Sequence, residues 1–169
     1  MQAAEDKISR TYPKAILGTR VADLSLDDWD EDLKDETCDA ILSTLVLEHL
    51  PFDRYKETIK KCVRLLKPGG WLMAAEGYSE EGSDMQEWFF QEMETRRLSV
   101  DPATSDFVAR LRDELETHYY TSKREKAEWR RDLGLSDVNV LWQYLCIGLM
   151  AGRKPFFRDL QESKENPVS

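Results

Sequence analysis

Two nearly unbroken apolar runs, at residues 40–47 and 71–75, stand on either side of an amphipathic stretch. Such runs are typical of strands that are buried on both faces of a parallel sheet. Between them, charged residues lie toward one side, and apolar residues recur at helical spacing on the other, at Tyr55, Ile59, Cys62, Val63 and Leu66. The pattern therefore predicts a strand, a helix and a second strand.

The boundaries of this unit have their own signals. Asp53 is placed to cap the helix, and the sequence Lys-Pro-Gly-Gly at residues 67–70 is expected to stop it, because proline cannot continue a helix. A helix between two parallel strands is a right-handed crossover, and open α/β sheets bind ligands at the carboxyl ends of their strands. Residues 43–49 and 76–78 are therefore expected at the ligand edge.

The first part of the chain predicts two short elements and an acidic connector. An amphipathic helix is expected at residues 3–12, before Pro13, and a strand at residues 19–22 delivers Asp23 and Leu24 to its carboxyl end. The acidic residues at 27–36 surround Trp29 and Leu33 and are expected to be mostly solvated.

Helix signals dominate residues 83–133. Ser83 fits a capping box for a helix, and Thr104 or Ser105 opens a second one. Ser122 caps a third, which ends near residue 133 with Gly134 in the left-handed region. The first helix carries an apolar stripe of Met85, Trp88, Phe89 and Met93, for which core packing is the default explanation.

The remaining segments complete a single domain. Residues 155–169 form a polar tail. With 169 residues, of which 41% are apolar, the chain is long enough for one core and too short to favour two.

Charge and cysteine content narrow the functional classes. A formal charge of -9 argues against broad attraction to nucleic acid or anionic membranes, and favours a small or neutral substrate. The three cysteines suggest neither a disulfide framework nor a metal site, so a reducing cytoplasm fits. No apolar run has the length of a membrane span.

The central unit resembles a known family. The sequence DAILSTLVLEHL, followed by a helix that ends in LLKPGGWL, is similar to class I S-adenosylmethionine-dependent methyltransferases. The resemblance covers about residues 3–154. It implies an α/β, Rossmann-like class I methyltransferase sheet with a C-terminal antiparallel hairpin, truncated at the N-terminus. Residues 1–154 are then a partial methyltransferase domain with a helical insertion at about 83–133, and residues 155–169 are the tail.

The resemblance also implies a cofactor, S-adenosyl-L-methionine, and residues that bind it. Asp23 matches the position whose carboxylate accepts a hydrogen bond from the adenine amine, and Leu24 matches the wall of the adenine ring. Without the resemblance, a turn aspartate is the preferred interpretation of Asp23. Further positions line the cofactor or substrate pocket, at Ser43, Thr44 and Leu45.

His49 is the best candidate for acid/base catalysis, because its ordinary pKa lies near neutrality. Glu48 is expected to orient His49 or to contact the cofactor. An equally weighted alternative is that Glu48 and His49 only cap the junction between strand and helix. Glu76 and Tyr78 follow the second strand and are further candidates for substrate contact, although a polar pair at the end of a buried strand is also ordinary. Residues 118–120, His-Tyr-Tyr, resemble a lid or substrate segment, although structural packing is the preferred interpretation.

One part of the family pattern is missing. The chain has no Gly-x-Gly loop after an upstream strand, and no acid that holds the ribose hydroxyls. Three possibilities stay open: a fragment, a half completed by a protein partner or second copy at an exposed sheet edge, or a degenerate binding module. The expected function is methyl transfer to a small acceptor. The alternative is a catalytically dead protein-interaction module derived from a methyltransferase.

Overall fold

The computed structural model describes residues 10–11, 18, 20–79, 83–100, 109–110, 112–113 and 120–156, with the backbone alone at residues 83 and 97–100. The strands are β1 (Cys38–Thr44), β2 (Leu66–Gly77), β3 (Ser136–Tyr144) and β4 (Ile147–Arg153). The helices are α1 (Phe52–Leu65), α2 (Ser83–Val100) and α3 (Lys123–Asp132), with a 3-10 turn at Leu47–His49.

The four strands form one sheet in the order β1-β2-β4-β3. β1 is parallel to β2, whereas β4 is antiparallel to both β2 and β3. The predicted crossover unit and the predicted C-terminal hairpin are therefore confirmed. Among the described strands, β1 and β3 are the two edges of the sheet, so the expected exposed edge is present at β1.

Helix α1 packs on the sheet through the face that its pattern predicts. Its buried residues are Tyr55, Thr58, Ile59, Cys62 and Leu65. The predicted cap is wrong, because Pro51 is the N-cap residue. Asp53 lies in the first turn instead, where its carboxylate interacts favourably with the positive end of the helix dipole. Leu66, expected on the helix, is the first residue of β2.

The Lys-Pro-Gly-Gly segment lies inside β2, not in a loop before it. Cys38 pairs with Leu66, but Ala40 pairs with Trp71, so β2 bulges between these positions. The residue that follows β4 stabilises this bulge, because the Gly69 N–H donates a hydrogen bond to the Lys154 carbonyl oxygen at 2.8 Å. Gly69 has a φ of 83°, a conformation that favours glycine. The helix does stop where predicted, at Leu65.

The capping predictions for α3 are confirmed. The Ser122 side chain accepts a hydrogen bond from the Glu125 backbone N–H at 3.2 Å, and Gly134 has a φ of 94° after the helix. The hairpin that follows turns through Leu145 and Cys146, and Leu145 has a φ of 51°. This is a two-residue connection, as expected for a tight hairpin.

The strand expected at residues 19–22 does not appear at residues 20–22, which have no regular structure, and Val21 is 80% exposed. A strand needs a neighbour for its backbone groups. The resemblance implies two further strands between this segment and β1, and neither is among the described residues. The segment therefore has no described strand to pair with.

The acidic connector packs against α1. Asp30 is buried and accepts hydrogen bonds from Lys61 Nζ at 2.8 Å and Arg64 at 2.6 Å. Asp27 pairs with Arg54 in the same way. The expectation of solvated charges is therefore wrong for Asp30, because the basic face of α1 supplies partners that offset the cost of its burial.

Helix α2 differs from its predicted stripe. Phe89 and Phe90 are buried, whereas Met85 and Trp88 are half-exposed. Met93 contacts the turn between β3 and β4, with its sulfur 3.7 Å from Cys146 Sγ. The helix expected from residue 104 or 105 lies largely outside the described residues, although 109–110 and 112–113 are helical. The helix at residues 3–12 is described only at residues 10–11, which are helical, and the tail only at 155–156.

Candidate functional site

The chain leaves the sheet abruptly at the carboxyl end of β1. Leu45 has a φ of 51°, and its N–H donates to the Ala75 carbonyl oxygen of β2 at 2.8 Å. The left-handed backbone ends β1 and directs the chain into the 3-10 turn that carries Glu48 and His49. Leu45 itself is 47% exposed.

A cavity of about 340 Å³ lies between β1, α1 and the connector. It brings together three of the predicted cofactor residues, Leu24, Ser43 and Thr44. The rest of its lining is mostly apolar and consists of Trp29, Ile41, Leu42, Val46, Leu47, Thr58, Cys62 and Leu72. Burial raises the pKa of the Cys62 thiol to about 12, so this residue lines the cavity as an apolar group.

Two polar atoms on this lining are buried, namely Thr58 Oγ1 and Trp29 Nε1. Neither has a hydrogen-bond partner within the described residues. Both groups donate hydrogen bonds, and the two residues line a cavity that is otherwise mostly apolar. The sequence analysis did not select these two residues. The available signal was a threonine on the apolar face of α1, between Tyr55 and Cys62.

Asp23 is exposed and adopts the geometry of a turn. Its Oδ1 accepts hydrogen bonds from the Ser25 N–H at 2.9 Å and from the Ser25 hydroxyl at 2.7 Å. The hydroxyl and the N–H of Ser25 lower the pKa of this carboxyl below its ordinary value. This is the turn interpretation of Asp23, and its adenine-binding role stays a prediction.

Glu48 joins the ends of the two parallel strands. Its Oε1 accepts a hydrogen bond from the Gly77 N–H at 3.2 Å, and its Oε2 is buried with no partner in the described part of the chain. Burial raises the pKa of this carboxyl, and the neighbouring Glu76 carboxylate acts in the same direction. Glu48 is therefore a buried link between β1 and β2.

His49 is exposed beside the end of β2. Its ring is edge-on to the Tyr120 ring, with the two centroids 6.3 Å apart. Tyr120 in turn lies against Gly77, where a β-carbon would be 2.3 Å from Tyr120 Cε1. The structure thus brings His49 and Tyr120 together, while His118 and Tyr119 lie outside the described residues.

Glu76 and Tyr78 do not reach the ligand edge, contrary to expectation. Both are fully buried, because strand alternation directs Glu76 toward the face that α1 and α3 cover. Glu76 accepts hydrogen bonds from three buried groups: Tyr55 at 3.1 Å, Lys126 at 2.7 Å and Arg130 at 2.5 Å. Its role is to hold both helices on the sheet.

Five of the seven predicted site residues therefore lie on the cavity lining or directly after it in the sequence, whereas Asp23 and Leu45 are not part of the lining. Leu24, Ser43 and Thr44 line the cavity, and Glu48 and His49 follow directly after the lining residues Val46 and Leu47. Within the described ranges, no cluster of His, Cys, Asp and Glu side chains is arranged to hold a metal ion. None of the helices in these ranges has the length and apolar character needed to cross a bilayer.

Comparison with known proteins agrees with this geometry. Residues 3–74 match the family model described as "Methyltransferase domain". Among curated proteins there is no significant match. Solved structures with the same fold include the S-adenosylmethionine-dependent methyltransferase SibL in its apo form, at 16% identity and a TM-score of 0.59. The match covers 91% of this chain and 40% of SibL, so the chain spans about two fifths of that protein.

Two further structures are similar. PigF with SAH has 14% identity and a TM-score of 0.55, over 90% of this chain and 40% of that one. A chain of the complex between the Haloferax volcanii Trm112 methyltransferase activator and a putative methyltransferase has 19% identity and a TM-score of 0.50, over 88% of this chain and 67% of that one.

The sheet order, the crossover and the C-terminal hairpin define a class I methyltransferase fold. The chain therefore has the fold of class I S-adenosylmethionine-dependent methyltransferases, and the match to the methyltransferase domain model covers residues 3–74 of its 169 residues.

Proposed function

We propose that this chain contributes to a methyltransferase that transfers the methyl group of S-adenosyl-L-methionine to a small-molecule acceptor. The observation that carries the proposal is the cavity at the end of β1, where Leu24, Ser43 and Thr44 meet next to the segment of Glu48 and His49. Ligands of open α/β sheets bind at this end of the strands.

The residues present fit one part of the cofactor. Leu24 offers an apolar wall for the adenine base, and Thr58 Oγ1 and Trp29 Nε1 are unpaired polar atoms on the same lining. Leu45 directly follows Thr44 of the lining, and Glu48 follows the lining residue Leu47 in the 3-10 turn. The described residues include no glycine-rich turn for the methionine moiety and no acid arranged for the ribose hydroxyls. The fit therefore extends to the adenine end alone.

The cofactor, when bound, supplies a methyl group that its sulfonium makes electrophilic. The task of the protein is then alignment and, for some acceptors, removal of a proton. His49 is exposed, and imidazole is the most common proton acceptor among enzyme side chains, so we assign it this role. Tyr120 borders the same space and limits the position of the imidazole from one side.

Further polypeptide along the free edge of β1 completes the site in this proposal. That edge carries exposed Ala40, Leu42 and Thr44, and Leu42 is 71% exposed. A second chain, a protein partner or another segment of the same protein fits this position. The Haloferax complex with its activator protein is a precedent for a partner. The net charge of -9 and the three free cysteines favour a small acceptor in the reducing cytoplasm.

Calorimetric titration with S-adenosylhomocysteine tests cofactor binding by the 169-residue chain. We expect saturable binding that Asp23→Ala and Thr58→Val each weaken. Asp28→Ala is the matched control, since Asp28 is an exposed acid in the same connector. Absence of binding by a chain with a cooperative unfolding transition would contradict a cofactor site formed by this chain alone.

A second experiment separates the enzyme from the non-catalytic interaction module. Lysate from cells that express the tagged chain is fractionated, and any complex that contains the chain is assayed with radiolabelled cofactor and a set of small acceptors. His49→Gln should abolish label transfer while leaving cofactor binding unchanged. A complex that binds neither cofactor nor S-adenosylhomocysteine would favour the interaction module.

A further inference from the structure

Strand β3 is an unusually apolar sheet edge. Its residues from 138 to 144 include no charge and no proline, and four side chains are well exposed: Val140 (38%), Leu141 (59%), Trp142 (54%) and Tyr144 (42%). Edge strands of monomers are usually protected by charged residues, prolines, β-bulges or short length, and β3 has irregularities in its register with β4 between Ser136 and Asn139 and between Val140 and Trp142. The nine residues of β3 form no pairing on the outer side among the described strands.

The side chains of this edge are ordered as a flat surface. The rings of Trp142 and Tyr144 are stacked, with centroids 6.4 Å apart and an angle of 19° between their planes. Arg96 of α2 lies 5.5 Å from the centre of the Tyr144 ring and pairs with Glu92. Because Trp142 and Tyr144 are two residues apart on one strand, both rings lie on the same face of the sheet.

The charges at the two ends of β3 are opposite. Asp137 is exposed at its start. Near its other end, Lys123 Nζ contacts Gln143 Oε1 at 2.9 Å, which places a cation beside the strand. Arg131 is also near the start, but its guanidinium donates to the Val138 carbonyl oxygen on the α3 side. If a second copy of β3 lies antiparallel beside the first, Asp137 of each copy therefore comes close to Lys123 of the other.

We propose that two copies of this chain associate through β3, antiparallel and about a two-fold axis near residues 140 and 141. In that register, Asp137 of each copy faces the end of β3 that carries Gln143 and Lys123 in the other. The two sheets join into one of eight strands. A two-fold contact uses the same surface twice, which matches a strand that is complementary to its own reverse. β1 and the cavity lie at the opposite edge and stay accessible.

Sedimentation equilibrium tests this interface directly. The wild-type chain should have twice the chain mass of 19.7 kDa. Trp142→Lys should raise the dimer dissociation constant at least about 30-fold, as expected for a central interface tryptophan. Trp88→Lys is the matched control, because Trp88 on α2 is 52% exposed and should leave the dimer intact. Circular dichroism and urea unfolding verify that both variants fold.

A charge exchange tests the register. Asp137→Lys should weaken the dimer, and the combined variant Asp137→Lys with Lys123→Asp should restore it, because each reversed charge again meets its opposite. A monomeric wild type at all concentrations would overturn the proposal. So would a dimer that Trp142→Lys leaves unchanged, since that dimer would use another surface. Failure of the combined variant to recover would overturn the antiparallel register.

Discussion

The Gly77 N–H donates to Glu48 Oε1 across 3.2 Å, and this bond ties the carboxyl end of β2 to the turn that follows β1. The other carboxylate oxygen, Oε2, is buried without a partner in the described residues. A buried oxygen that has lost its water favours the protonated state of the group. Glu48 is thus held at the junction in a position that raises its pKa.

This burial predicts a pH dependence of stability. Because burial raises the native pKa of Glu48 above its unfolded value of about 4.3, the native state binds more protons between the two values. The contribution of Glu48 to stability therefore falls as pH rises from about 4.3 through the native pKa. Glu48→Gln removes this loss, so its free energy of unfolding relative to the wild type should increase with pH. Urea unfolding at a series of pH values measures the difference.

The control for this experiment is Glu31→Gln, at an exposed position of the connector. Its free energy of unfolding should run parallel to that of the wild type. A Glu48→Gln difference that stays constant with pH, or that decreases, would show that the carboxyl does not titrate with a raised pKa.

Glu76 predicts a large loss of stability on neutralisation. Its carboxylate is shared by Lys126 and Arg130, and all three side chains are at most 1% exposed. Glu76→Gln leaves two buried cations without their anion, which costs about 3–5 kcal/mol in comparable pairs. The expected result is a free energy of unfolding lower by about that amount in urea titration.

The pair Glu57 and Lys60 provides the comparison, since the Lys60 side chain is 66% exposed and the Glu57 side chain 41%. Glu57→Gln should change stability by less than about 0.5 kcal/mol. If Glu76→Gln were as mild as this, the buried network would not exist in solution as described.

The backbone conformation of Leu45 leads us to predict that a substitution at this position stabilises the protein. A branched residue at a φ of 51° is strained, and asparagine adopts this conformation more readily. Because the Leu45 side chain is 47% exposed, Leu45→Asn should stabilise the protein by about 1 kcal/mol. Thermal unfolding of Leu45→Asn is compared with that of Leu26→Asn, which is 53% exposed and has a negative φ. Equal effects at both positions would rule out backbone strain at Leu45.

Substitutions at Gly77 and Tyr120 are predicted to have coupled effects on the free energy of unfolding. A β-carbon at Gly77 would lie 2.3 Å from Tyr120 Cε1, so Gly77→Ala should displace the ring and lower the free energy of unfolding by about 1–3 kcal/mol. Combining it with Tyr120→Ala should cost less than the two changes added, because the clash is gone. Gly18→Ala, where a β-carbon meets nothing within 4 Å, is the control. Additive losses would show that the two residues are not in contact.

The regular elements of this fold were predictable because they depend on local patterns. The apolar runs of β1 and β2, the period of α1 and the Ser122 cap all follow from nearest neighbours along the chain. The strand at residues 19–22 failed for the opposite reason. Its pattern is adequate, but a strand forms only beside another one, and sequence pattern does not reveal whether the neighbour exists.

The candidate site was predictable in its location and less so in its side chains. The rule that ligands bind at strand ends located Ser43, Thr44 and His49 correctly relative to β1. Position after a strand does not, however, say which way a side chain turns. Glu76 and Tyr78 are buried in the core, where Glu76 binds side chains of α1 and α3 that are distant in sequence.

The network around Glu76 also affects how the chain folds. Its hydrogen-bond partners are 21, 50 and 54 positions away along the sequence, on two different helices. Such contacts form only after long loops have closed, so they slow folding and belong to its late steps. A peptide of β1, α1 and β2 alone would leave Glu76 with only Tyr55. We therefore expect the segment of β1, α1 and β2, whose sequence pattern is the clearest, to reach its final packing late, when α3 packs against it.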